Sequence, residues 1–182
     1  MKRRIAALVG LVAALAVTLA GCSSWTQAST AAQVNGQTIT MTQVQQLADA
    51  LVSATKTSSS PISAGDAPVV ALQGLFTAAV LDTASDKGAS VVTSDSVSQV
   101  MAQDPVAQAI AKVPGATDWA RGELAISQAQ SDQTAATTLL GLGKKATVTL
   151  NPRFGQWDPS SGWFSTNNGS LSVPATAAPK LP

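Results

Sequence analysis

The spacing of apolar residues changes period along this chain, and the changes mark its elements. Ala32-Gln33-Val34 followed by Asn35-Gly36 predicts a short strand entering a tight turn, because Asn-Gly supplies the positive φ that such turns need. Gln37-Thr38-Ile39 reads as the rest of that turn, and Thr40 with Gln43 forms a capping box that opens a helix near Met41. Met41, Val44, Leu47, Ala48, Leu51 and Val52 then fall on one helical face. A Ser/Thr-rich loop over 56–65 separates this helix from a second, from Ala67 to about Asp86, with Asp66 as N-cap, Pro68 in the first turn and Gly88 as its stop. Thr93, Ser94 and Asp95 cap a short third helix, and Asp104-Pro105 begins a brief fourth that Val113-Pro114-Gly115 ends. A fifth is expected from Asp118 to about Leu140, capped by Thr117, although Trp119, Leu124, Ile126, Ala129, Ala136 and Leu139 share no single stripe. After Lys144-Lys145 the period becomes two: Ala146, Val148 and Leu150 alternate with threonines, which predicts a strand. The expected fold is mainly α, with a short two-stranded sheet pairing the first and last ordered segments.

The N-terminal pattern is different. Lys2, Arg3 and Arg4 precede an uncharged apolar run from Ile5 to Leu19, and Leu19-Ala20-Gly21 leads into Cys22, the single cysteine of the 182 residues. This arrangement resembles the bacterial lipoprotein signal, in which residues 1–21 are removed and the cysteine becomes a lipidated N-terminus. The alternatives are a plain secretory leader that ends in Cys, or an uncleaved anchor helix. The lipoprotein reading places the protein on the extracytoplasmic face of the cell membrane, held there by acyl chains on Cys22. Residues 22–31 then read as a tether, 32–159 as the domain, and 160–182 as a Ser/Pro/Ala-rich tail.

Charge and composition narrow the function. Three of the eleven basic residues lie in the leader, so the remainder has eight Lys and Arg against ten Asp and Glu. A nucleic-acid binder should be basic, and none is expected as partner. There is no histidine, which removes Ser-His-Asp and Cys-His arrangements and the commonest zinc ligand. Glu123 is the only glutamate, five residues from Asp118 and two from Arg121, and reads as part of a solvated, ion-paired face. Asp82 and Asp86 read as a solvent-facing pair. No enzyme, metal or cofactor is expected.

Exposed apolar surface is the better prospect. Trp119, Phe154, Trp157, Trp163 and Phe164 are the candidate residues for binding a partner. Trp157, Trp163 and Phe164 lie in a Gly/Pro/Ser-rich segment, either as a lid tucked onto the helices or as a surface patch. Arg153 is placed to bridge that segment to Asp158 or to a helix acid.

The run Ala32-Gln33-Val34-Asn35-Gly36-Gln37-Thr38-Ile39-Thr40, with Val44 and Leu47 after it, resembles the opening of the SurA-type chaperone N-terminal domain. Val148-Thr149-Leu150-Asn151-Pro152-Arg153-Phe154-Gly155-Gln156-Trp157 looks like the closing strand and loop of lipid-anchored actinobacterial members of that family. The resemblance implies a helical domain that cradles unfolded or secreted polypeptides. It does not carry over the parvulin-type isomerase of many relatives, since between Gly115 and Lys145 there is room for one helix only. The expected function is therefore a lipid-anchored, non-catalytic, chaperone-like protein. The alternative is an adaptor or assembly lipoprotein for one envelope protein or cell-wall component.

Overall fold

Asn35 and Gly36 both take positive φ, 48° and 88°, and fold β1 (Thr30–Val34) antiparallel onto β2 (Gln37–Thr40). These elements belong to a computed structural model that describes residues 29–82 and 91–165. The leader, Cys22, Lys87, Asp86, Gly88 and most of the tail lie outside the described residues. β3 (Val148–Leu150) pairs with the other side of β1, Ala32 opposite Leu150 and Val34 opposite Val148, giving a sheet ordered β2-β1-β3. Two asparagines fasten β3 at its ends. Asn35 exchanges bonds with Thr147, donating its N–H to the carbonyl (2.8 Å) and accepting the Thr147 N–H on Oδ1 (2.7 Å). Asn151 donates its backbone N–H to Ala31 O (2.9 Å) and its Nδ2 to Thr30 O (3.0 Å).

The strand at Ala32–Val34 pairs with the strand that follows Lys145, as expected, but that strand is not the last ordered segment, and the sheet has three strands because Gln37–Thr40 is a strand and not a turn. A two-residue loop suffices to reverse the chain when both of its residues accept positive φ. The domain also begins earlier than residue 32: Thr30 and Ala31 are in β1, and Ala31 is fully buried.

α1 (Met41–Thr55) starts where Thr40 Oγ1 accepts the Gln43 N–H at 3.1 Å, and it buries Val44, Leu47, Ala48 and Leu51. α2 (Ala67–Asp82) is the centre of the molecule. Its residues from Ala71 to Leu81 are buried almost without interruption, so the wide apolar face expected from the sequence extends round the whole helix. Thr77, fully buried, is satisfied by donating to Gln73 O at 2.8 Å. α3 (Ser94–Gln103) is capped by Thr93, and α4 (Pro105–Ile110) by Asp104, whose Oδ1 accepts the Ala107 N–H at 2.8 Å.

The expected fifth helix is two. α5 (Ala116–Ser131) ends at Asp132, whose backbone is extended (φ −129°, ψ 115°), and α6 (Gln133–Gly143) begins there with the Asp132 carboxylate accepting the Thr134 N–H at 2.7 Å. The absent common stripe has this cause: residues on either side of Asp132 belong to different helices. The start also differs. Gly115, at φ 85°, is the N-cap in place of Thr117 and makes no side-chain cap bond.

After β3, a 3-10 turn over Pro152–Phe154 leads into a hairpin of β4 (Gln156–Asp158) and β5 (Trp163–Ser165). The domain therefore runs past 159, and Trp163 and Phe164 belong to it rather than to the tail. Phe76 of α2 receives the hairpin, with ring centroids 5.4 Å from Trp157, 6.4 Å from Trp163 and 5.1 Å from Phe164. Trp163 and Phe164 stack with an interplanar angle of 10°.

Candidate functional site

The candidate aromatics serve the core first. Phe154 and Phe164 are buried and present no ring to a client in this fold. Trp157 and Trp163 are half-buried and form, with Phe164, a lid over Phe76. Trp119 stands on α5, where its indole N–H donates to Val70 O at 3.3 Å and its ring covers Gly74 of α2. The five residues thus do not make one exposed patch. Arg153 is exposed and, among the described residues, forms no ion pair; the Asp158 carboxylate instead accepts the Ser160 N–H (2.8 Å) and hydroxyl (2.6 Å), which hold its pKa below the usual value.

The surface that does offer a site lies beside β2. A groove of about 330 Å³ runs between Gln37–Ile39 on one side and Leu75, Ala78 and Ala79 of α2 on the other, with Gln43, Asp82 and Asp118 completing it. Consecutive strand residues line it, which is how a strand presents its edge, since either face would contribute only alternate residues. β2 is an outer strand of the sheet. Val34 and Gln37 flank the two-residue turn and face each other across the ladder, so they exchange both hydrogen bonds. Alternation then turns the N–H and C=O of Thr38 away from β1, towards the open edge.

Edges of this kind are normally blunted by charges, proline or a bulge. Gln37-Thr38-Ile39-Thr40 carries no charge and no proline, and the register irregularity of the pair lies at the far end, between Thr30 and Ala32.

The charged end of the groove is organised by Arg121. Its Nη1 meets Asp82 Oδ1 at 2.7 Å, and its Nη2 donates to Ala78 O at 3.2 Å and lies 3.8 Å from Asp118 Oδ1. Gln37 Nε2 donates to Asp82 Oδ2 at 3.4 Å, so the strand edge and the ion pair are joined. The groove thus brings together a strand edge, the buried side chains of Leu75, Ala78 and Ala79, and two carboxylates against one guanidinium.

Sequence reasoning missed this groove. Asp118 and Arg121 are visible as an i,i+3 pair, but Arg121 also meets Asp82, and Asp82 meets Gln37 from 45 residues away along the chain. Glu123 also differs from expectation. It is half-buried, and desolvation pushes its carboxyl up to about 7, so it is not part of a solvated, ion-paired face.

Among the described residues no helix is long and apolar enough to cross a membrane. Compared with known protein families, with characterised proteins and with solved structures, the chain matches none.

Proposed function

We propose that this protein is a lipid-anchored, extracytoplasmic, chaperone-like module that holds extended segments of unfolded or secreted polypeptides without catalysis. The observation that carries the reading is the short outer edge of β2, free of charge and proline, standing beside a groove lined by Leu75, Ala78 and Ala79. An extended chain laid along that edge pairs its backbone with Thr38, and its side chains alternate between the groove and solvent. Recognition through the backbone tolerates many sequences, which suits a protein whose clients are unfolded. The leader and Cys22 support the anchor, which raises the local concentration of the site at the surface where secreted chains emerge. A mainly helical body whose first strand, β1, pairs with β3 beyond the helices supports a likeness to a SurA-type N-terminal domain.

The test is aggregation suppression of a chemically unfolded secreted protein by the full chain held in lipid nanodiscs, with empty nanodiscs as control. Suppression at stoichiometric amounts, abolished by Thr38→Pro, is the expected result. Equal aggregation with and without the protein across several clients sinks the reading and favours an adaptor for one partner.

A further inference from the structure

The groove beside β2 is not electrically neutral, and its asymmetry selects among extended chains. Two carboxylates, Asp82 and Asp118, line it together with the β2 edge. Both meet Arg121, but Asp82 is held much more closely. Asp82 binds Arg121 at 2.7 Å through Oδ1 and accepts from Gln37 through Oδ2. Asp118 keeps 60% of its side chain exposed and meets the same guanidinium at only 3.8 Å. Arg121 spends Nη2 on the Ala78 carbonyl as well, so its one charge is directed at α2 and not at the groove mouth.

We infer that the segment held on the β2 edge is an extended polypeptide carrying a lysine or arginine, whose charged head pairs with Asp118 at the side of the groove. This rests on the edge-binding reading above and adds the chemistry of the occupant. Leu75, Ala78 and Ala79 are buried and offer little apolar surface, so the charge carries the selection. An acidic side chain in the same place would face Asp118 with no free cation among the described residues of the groove, because Arg121 is already engaged.

The experiment uses three fluorescently labelled nine-residue peptides, N-acetylated and C-amidated so that no terminal charge contributes. They alternate valine and threonine and differ only at the central residue: lysine, glutamine or glutamate. Binding to the full chain in nanodiscs is read by anisotropy. The lysine peptide is expected to bind about fivefold tighter than the glutamine peptide at low salt, and the glutamate peptide more weakly than both. Raising the salt to about 1 M should erase the difference in the unaltered protein, since screening then acts within about 3 Å. Asp118→Asn should bring the lysine peptide to the affinity of the glutamine peptide. If all three bind alike and all are lost with Thr38→Pro, the charge inference is overturned while the edge reading stands. If none binds, the edge reading fails and the inference with it.

Discussion

Gly74 of α2 and Gly122 of α5 meet where their helices cross, so closely that a Cβ on Gly122 would collide with the Gly74 carbonyl. The crossing brings Trp119 over Gly74 and carries Arg121 to Asp82, so the same backbone approach that packs the core positions the charged end of the groove. Gly122→Ala should therefore destabilise the fold by roughly 2–4 kcal/mol, because rigid backbone stands where the methyl must go. Urea unfolding followed by far-UV circular dichroism measures this. A loss below about 0.5 kcal/mol, the range of an ordinary surface change, would refute the tight crossing.

Gly74→Ala meets a different obstacle, the Trp119 ring, with Nε1 2.9 Å from the added methyl position. A side chain can be shortened where backbone cannot. The double variant Gly74→Ala with Trp119→Leu should recover part of the loss, giving a favourable coupling of roughly 1 kcal/mol in a double-mutant cycle. Strict additivity would show that the two residues do not touch.

Thr38→Pro should leave the thermal midpoint within a few degrees of the parent, while abolishing peptide binding. Proline is tolerated on an edge strand where its missing N–H faces solvent. A large drop in stability would show instead that the Thr38 N–H belongs to the ladder with β1.

Glu123 makes stability depend on pH in an unusual direction. Its folded pKa, about 7, lies above the ordinary 4.5, so the folded state binds a proton that the unfolded state releases between those values. Its contribution is complete below the unfolded pKa and is lost as pH rises through about 7. Glu123→Gln should remove this slope and stabilise the protein at pH 8 by roughly 1–3 kcal/mol. Denaturant midpoints of both proteins between pH 4 and pH 8 decide it, and parallel curves would rule the buried carboxyl out.

Phe76→Ala should cost about 3–5 kcal/mol, and it should do so by releasing the hairpin. Trp157 and Trp163 both rest on that ring, so their fluorescence should shift to the red in the native baseline of the variant. An unchanged emission maximum would mean that the hairpin keeps its seat without Phe76.

Much of the local structure was legible in the sequence because it depends on neighbours along the chain. The Asn35-Gly36 turn, the Thr40, Thr93 and Asp104 caps and the apolar face of α1 each follow from residues within a few positions of one another. The break at Asp132 was local too, but the helix-forming residues on both sides masked a cap that only a change of direction makes useful.

What the sequence by itself determined is a mainly helical domain in which the strand at Ala32–Val34 pairs with the strand at Val148–Leu150. What only the tertiary structure decided is the use of its surfaces. Strand pairing turned Gln37–Thr40 from a turn into an open edge, the Gly74–Gly122 crossing brought Asp118 and Arg121 beside Asp82, and packing on Phe76 took the aromatics out of the solvent. These are contacts between residues far apart in the chain. Their energies come from burial and backbone approach in three dimensions, for which a one-dimensional period holds no record.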